Sequence, residues 1–321
     1  MKVGIAAAAI SIAALYGNAN AADWPTRAVR IIVPSPPGDG SDSAARVIGQ
    51  SLEAAFGQPF IVENMAGAGG VVGTQAAAKA APDGYTFIMG NAGSNGINAA
   101  VYSKLSFDPV EDFAPISMIY RAPNIFVAAN GLGVKTLGEL ITTAKTRGTK
   151  LNYASGGNGS SGHLNTEYMK LLGGFDAAHV PYRGASLALN DILAGHIDFM
   201  AVNLPPAMQL VQTDKIVGLA VTTSARSPLL PAVPTVAESG FPGYETVAWF
   251  GLLGPKGLPP PIIETLHREI SKSCRSSEVI DKLAALGGEV VCNTPAEFAA
   301  LIRSDVDRWR KVARDANIRV N

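Results

Sequence analysis

Twice in this chain a short apolar run ends in a glycine-rich, hydroxyl-bearing loop that leads straight into a helix-like stretch. Val29-Arg30-Ile31-Ile32-Val33 precedes Pro34-Ser35-Pro36-Pro37-Gly38-Asp39-Gly40-Ser41-Asp42. Lys150-Leu151-Asn152-Tyr153-Ala154 precedes Ser155-Gly156-Gly157-Asn158-Gly159-Ser160-Ser161-Gly162-His163. A strand that re-enters as a helix through such a loop leaves free backbone N–H groups at the helix N-terminus. Those groups and the helix dipole favour an anion. Two such sites can hold a carboxylate without a lysine or arginine touching it, which points to a binding protein more than to an enzyme.

The N-terminus reads as an export address. Lys2 gives a positive start, Val3 to Leu15 is an apolar, alanine-rich core, and Ala19-Asn20-Ala21 is a small-x-small cleavage signal. The core is too short to span a bilayer comfortably. Residues 1–21 are therefore expected to be a signal peptide cut after Ala21. Its removal leaves 25 basic and 26 acidic side chains, a net charge of −1, and nothing in that balance suggests nucleic acid, which usually demands a basic face. About 300 mature residues with a large apolar fraction suit two packed domains. Cys274 and Cys292 lack metal-ligand spacing or a CxxC partner. A disulfide requires Cα atoms within about 7 Å, so a bridge and two partly buried thiols both remain open.

Apolar and helical patterns alternate along the chain. Strands are expected at Val29–Pro34, Phe60–Glu63, Tyr85–Gly90, Leu151–Ala154, His179–Tyr182, Ile197–Val202, Ile216–Val221 and Val247–Leu253, with apolar runs on either side of Pro123. Helices are expected at Ser41–Phe56, from Gly70 to Ala80, from Thr136, from the second glycine-rich loop to about Leu172, and at Ala185–Ala194. Three more, Pro261–Cys274, Ser277–Leu286 and Thr294–Ala316, surround one strand near Glu289–Val291. Thr136 with Glu139, and Thr294 with Glu297, read as capping boxes. Repeated β-α units with buried strands imply parallel sheets, divided between two α/β domains with a cleft at the strand ends.

The loops match no cofactor or nucleophile signature. Gly38-Asp39-Gly40-Ser41-Asp42-Ser43 lacks the third glycine of a dinucleotide fingerprint, and Gly157–Gly162 fails G-x-S-x-G in every frame. Ser160 or Ser161 with His163 or His179, and with Asp176 or Asp198, leaves a hydrolase triad open in space, although serines at a helix start more commonly act as caps. The four histidines lack H-x-x-x-H spacing, so no catalytic metal and no cofactor are expected. Trp249-Phe250 reads as core. Arg183 sits at a strand end, where bracing the loop through carbonyls is favoured over pairing with a ligand's far carboxylate.

Over residues Trp24 to Ile318 the chain resembles the Bug (Bordetella uptake gene) family, the substrate-binding receptors of tripartite tricarboxylate transporters. The resemblance is carried by Trp24-Pro25, Val62-Glu63-Asn64 with Gly67-Ala68-Gly69-Gly70, Pro82-Asp83-Gly84-Tyr85, and Asp112-Phe113-Ala114-Pro115. It continues through Leu151–Ser155, Gly162-His163-Leu164, His179–Gly184, Pro234–Glu238 and Trp249-Phe250-Gly251. It implies an α/β, two-domain periplasmic-binding-protein fold, a Venus flytrap with its ligand cleft between domains. It further implies domain 1 from 22–122 and 246–321, domain 2 from 123–245, a periplasmic monomer, a small carboxylate ligand, and integral membrane transporter subunits as partners. A sensor presenting its ligand to a signalling partner would use the same pocket.

On this reading Ser35, Gly38, Gly40, Ser155, Gly159, Ser160 and Ser161 line the carboxylate site, while Asn91, Ser94, Arg183 and Asn203 read the rest of the ligand. Ser35 stands where the family commonly has an aromatic residue, and Asp39 where it has glycine. Asp39 would repel a carboxylate, so it is expected to face solvent or pair with a cation. Di-, tri- and aromatic carboxylates, acidic amino acids and nicotinamide-like molecules all fall within the family's range. Plain carboxylates rank above amino acids because no ammonium partner is evident.

Overall fold

A computed structural model describes residues 24–147, 151–315 and 318–319; the signal-peptide assignment lies outside them. Strand β1 (Val29–Val33) enters helix α1 (Gly40–Phe56), whose Ala44, Ala45, Ile48 and Leu52 are buried. Asp39 caps the start of α1, and Gly57 ends it at φ 66°, a left-handed position that glycine accepts without strain. Next come β2 (Phe60–Asn64), α2 (Val71–Ala78), β3 (Thr86–Asn91), a wide π-type turn at Gly93–Ile97 and the short α3 (Asn98–Val101).

The two apolar runs around Pro123 form one strand, β4 (Phe113–Ala128). After it follow α4 (Leu137–Arg147), β5 (Asn152–Ser155), α5 (Ser161–Gly173), β6 (Ala178–Pro181), α6 (Ala185–Leu193) and β7 (Phe199–Asn203). Helix α7 (Leu204–Gln212), absent from the sequence expectation, starts on Pro205-Pro206, where the missing N–H groups would be unpaired anyway. The chain continues with β8 (Val217–Val221), β9 (Val247–Pro255), α8 (Pro260–Ser273), α9 (Ser277–Ala284), β10 (Glu289–Val290) and α10 (Pro295–Asp315).

The sheets are mixed, which corrects the expectation of parallel ones. In the first half β1 pairs parallel with β2 and β3, but β9 lies antiparallel between β3 and β4. In the second half β5 pairs parallel with β6 and β7, while β4 runs antiparallel to both β7 and β8. Strand β4 serves both halves. Phe113 to Pro123 pair with β9, and Asn124 to Ala128 pair with β7 and β8. Pro115 falls at a bulge and Pro123 at the last rung shared with β9, the places where a residue without an N–H costs a ladder least.

Helices cover both faces of each half. Ile48 and Leu52 of α1 pack with Leu266 and Ile270 of α8 and Leu283 of α9 on one face of the first sheet, and Phe298, Ile302 and Val306 of α10 cover the other. In the second half α4 and α5 cover one face, and α6 and α7 the other. A smaller cluster joins the halves, with Leu164 of α5 against Ile97, Val101 and Trp309.

Cys274, which ends α8, is bonded to Cys292 after β10, with Cα atoms 6.3 Å apart and a sequence separation of 18. Neither cysteine lines the cleft. Closing a loop of this length restricts the unfolded chain by about 3 kcal/mol. A Cys274→Ser/Cys292→Ser variant should lose stability of that order in a chemical denaturation series while binding ligand as the native chain does.

Candidate functional site

A cavity of about 870 Å³ opens between the two halves at the carboxyl ends of β1, β3, β5 and β7, where open α/β sheets place their ligands. Across it the halves touch. A Cβ on Gly69 would lie 2.4 Å from the Asn158 carbonyl oxygen, and one on Gly184 would lie 3.3 Å from the Pro36 ring. Gly69 also adopts φ 64°, and its turn is held by Asn98 Nδ2 donating to the Gly69 carbonyl and by Tyr102 OH donating to that of Ala68.

The first loop uses its N–H groups internally. Gly40 N–H donates to Asp39 Oδ1 at 2.8 Å and Gly38 N–H to Asp42 Oδ2 at 2.9 Å. Burial works against the charge on Asp42. Arg46, the Gly38 N–H and Asn64 outweigh it and hold the Asp42 carboxyl below its usual range. Asp39 lines the cavity and has no basic partner within 4.0 Å among the described residues, contrary to the expectation of solvent or a cation. Burial raises its pKa, with Asp42 adding to the rise, and this outweighs the lowering by Gly40 N–H, Ser35 and Asn203.

In the second loop the N-terminus of α5 faces the cleft. Ser160 Oγ accepts from His163 N–H as the cap, and Ser161 Oγ donates to Asn203 Oδ1 at 3.1 Å. Gly162 has no alternative, because a Cβ there would lie 2.2 Å from the Ala201 carbonyl oxygen of β7. Beneath the loop the rings of Tyr153, His179 and His163 stack at 4.7 and 4.1 Å. His179 Nε2 hydrogen-bonds Ser155 Oγ at 2.7 Å, and His163 Nδ1 accepts from Gly159 N–H. Burial pushes the His163 ring down to about 4 and, with its neighbour His163 and with Lys170, the His179 ring down to about 3.

Of the residues singled out from sequence, Ser35, Gly38, Asn91, Ser160, Ser161, Arg183 and Asn203 line the cavity. Gly40, Ser94, Ser155 and Gly159 do not. Gly40 lies under the Phe250 ring, where a Cβ would come within 2.6 Å, and Ser94 and Ser155 are buried in hydrogen bonds of their own loops. Arg183 is exposed on the cavity wall and makes no side-chain hydrogen bond among the described residues, so the bracing role does not hold. Trp249 is core, donating to Asp305 Oδ2, whereas Phe250 stacks on Tyr120 and also reaches the cavity. Gly162 and Asn158 escaped the sequence reading, although both lie in the loop it chose. The Ser160 and Ser161 hydroxyls hydrogen-bond no histidine ring, and the Ser155–His179 pair has no carboxylate hydrogen-bonded to it among the described residues. A hydrolase triad is therefore not assembled. No group of three His, Cys, Asp or Glu able to hold a metal occurs among the described residues.

Residues 44–318 match the profile of a family described as the tripartite tricarboxylate transporter family receptor. Protein BugT of Bordetella pertussis is 34% identical over 312 residues, covering 97% of this chain and 96% of its own. A solved structure from R. palustris described with adipate superposes with a TM-score of 0.88 at 36% identity, covering 92% of this chain and 99% of the other. MatC from Rhodopseudomonas palustris, described with bound malate, gives 0.85 at 32% identity over 90% and 99%. These relatives are binding proteins and not enzymes.

Two outcomes follow from this geometry. Gly69→Ala should leave the unliganded melting temperature within a few degrees but weaken ligand binding at least about tenfold, since the new methyl meets the opposite half; calorimetric titration reads this. The buried rings favour the native state fully above pH 6.5 and less as pH falls toward their folded values. Denaturation at pH 6.5 and 5 should differ by about 3 kcal/mol, and His179→Phe should flatten that slope.

Proposed function

Because the chain belongs to the tripartite tricarboxylate transporter family of receptors, we propose that it is a periplasmic receptor that captures a small carboxylate and delivers it to integral membrane transporter subunits. Residues 1–21 direct export and are cut after Ala21. The mature monomer closes domain 1 (22–122 and 246–321) on domain 2 (123–245) around the ligand. Among the described residues no helix is long and apolar enough to cross a membrane.

The observation that carries this reading is the cavity wall made by the N-terminus of α5 together with Arg183. Ser161 and Gly162 present the first turn of a 13-residue helix to the cavity, and Arg183 is the one basic side chain among the described lining residues. A carboxylate there gains the helix field and a bidentate partner. A helix terminus contributes about 0.3–2 kcal/mol, whereas micromolar affinity requires about 8 kcal/mol. Hydrogen bonds, excluded water and apolar contact with Phe250 on closure supply the difference. Adipate and malate, named with two solved relatives, are small carboxylates of a size this cavity accommodates.

Thermal-shift screening against mono-, di-, tri- and aromatic carboxylates tests the reading. One class should raise the midpoint, by about 2.7 kcal/mol of stability at a hundredfold excess over Kd. Arg183→Gln should weaken that ligand at least about tenfold and leave the unliganded midpoint in place. No shift with any acid, from protein freed of co-purified ligand, would sink it.

A further inference from the structure

The second wall of the cavity carries the opposite charge. Asp39 and Asp42 both satisfy N–H groups of the first loop, so the start of α1 is already occupied by the protein's own carboxylates. Their situations then diverge. Asp42 is neutralised by Arg46 at 2.9 Å and steadied by Asn64 Nδ2 at 3.0 Å. Asp39 lacks a counterion among the described residues, and the charge acting on it is that of Asp42, of its own sign. A carboxylate held in a partly desolvated wall by neutral donors alone, with no cation beside it, is a costly arrangement unless a positive charge arrives to pair with it.

The polar groups around it are likewise unfinished. Ser35 lines the cavity at 6% exposure; its Oγ makes no well-formed hydrogen bond, though it lies close enough to Asp39 to favour that carboxylate. The Tyr120 hydroxyl, 3.1 Å from where a Cβ on Gly40 would stand, is buried and unpartnered too. So are both side-chain polar atoms of Asn124, which pairs in register with Asn203 on the cavity wall. Tyr120 and Asn124 lie behind the lining, so Ser35 is the one of the three that a ligand group in the cavity could complete.

We propose that Asp39, assisted by Ser35 Oγ, receives a positively charged nitrogen of the ligand, so that the solute is a carboxylate that also carries an ammonium or related cationic nitrogen. The inference rests on the receptor reading above and narrows it. The ligand's carboxylate lies toward Ser161, Gly162 and Arg183, and its nitrogen lies toward Asp39. A plain dicarboxylate would set its second negative charge against Asp39. The ammonium partner that the sequence did not reveal is thus the residue expected to turn away.

Calorimetric titration of the exported chain with matched pairs differing only in an amino group tests the assignment. Succinate against aspartate, glutarate against glutamate, adipate against 2-aminoadipate, and butyrate against 4-aminobutyrate are suitable probes. The nitrogen-bearing member of at least one pair should bind tenfold or more tightly than its plain acid. Asp39→Asn keeps a good helix cap and removes the charge; it should cut that preference to less than twofold, and Asp39→Ser, a second capping residue, should do the same if the asparagine variant folds poorly. Plain acids binding more tightly in every pair, or a ratio unchanged in both variants, would overturn the role of Asp39 and leave the receptor reading standing. So would plain-acid binding that strengthens as pH falls, the mark of a protonated Asp39 donating to a ligand carboxylate. Failure of both members of every pair to bind, with a tricarboxylate or an aromatic acid binding in their place, would overturn this inference and leave the receptor reading standing.

Discussion

The structure depends on the double pairing of β4. Its first eleven residues complete one sheet against β9, and its last five complete the other between β7 and β8. A strand shared in this way fixes the distance and hand of the two halves by backbone hydrogen bonds. It also leaves the region near Pro123 and Asn124 as the place where the chain changes partners. The return crossing into β9 is tied beside it, with Thr222 N–H donating to Asn124 O and Thr246 N–H to Thr222 O. The cavity lies between the two halves that this crossing joins, with strand ends of both on its walls.

Local chemistry made most elements legible. The boundaries of α1, α5, α6 and α10 follow from caps, glycine stops and apolar periodicity, and those signals act within a few residues. What the residues could not announce was pairing at a distance. Pro123 looks like a break between two apolar runs, and only the partners on either side show that one strand runs through it. The antiparallel entry of β9 between β3 and β4 is invisible for the same reason. Helix α7 was missed although Pro205-Pro206 is a fair start signal, because the dipeptide also reads as a turn.

The candidate site divides along the same line. That Ser160, Ser161 and Asn203 would meet at one cleft followed from their places at strand ends and a helix start. That Ser155 would turn inward to His179, or that Gly40 would lie beneath Phe250, depended on packing from other elements. Asp39 and Arg183 were both judged by what such residues do on average. Asp39 does cap α1, as an aspartate before Gly40-Ser41 should, yet capping fixes one oxygen and leaves the residue's setting to the far half of the molecule. Arg183 follows the end of a strand, but its side chain makes no hydrogen bond among the described residues, so the guanidinium stays available.

The placement of β9 sets an order of assembly. It occupies the middle of the first sheet, between β3 and β4, yet comes more than a hundred residues after β4 in the chain. As the polypeptide emerges N-terminus first, β1 to β3 have no central strand to close on until residue 255 has appeared, and α8 to α10 must follow to bury their faces. Residues 124 to 221 contain every strand of the second sheet and lack that dependence. The half whose contacts are local in sequence therefore matures first, and the half that begins the chain finishes last. The slow step is the non-local closure that brings the two ends of the molecule into one sheet. Until then the edges of β3 and β4 are unpaired, and it is that interval that exposes the chain to mispairing.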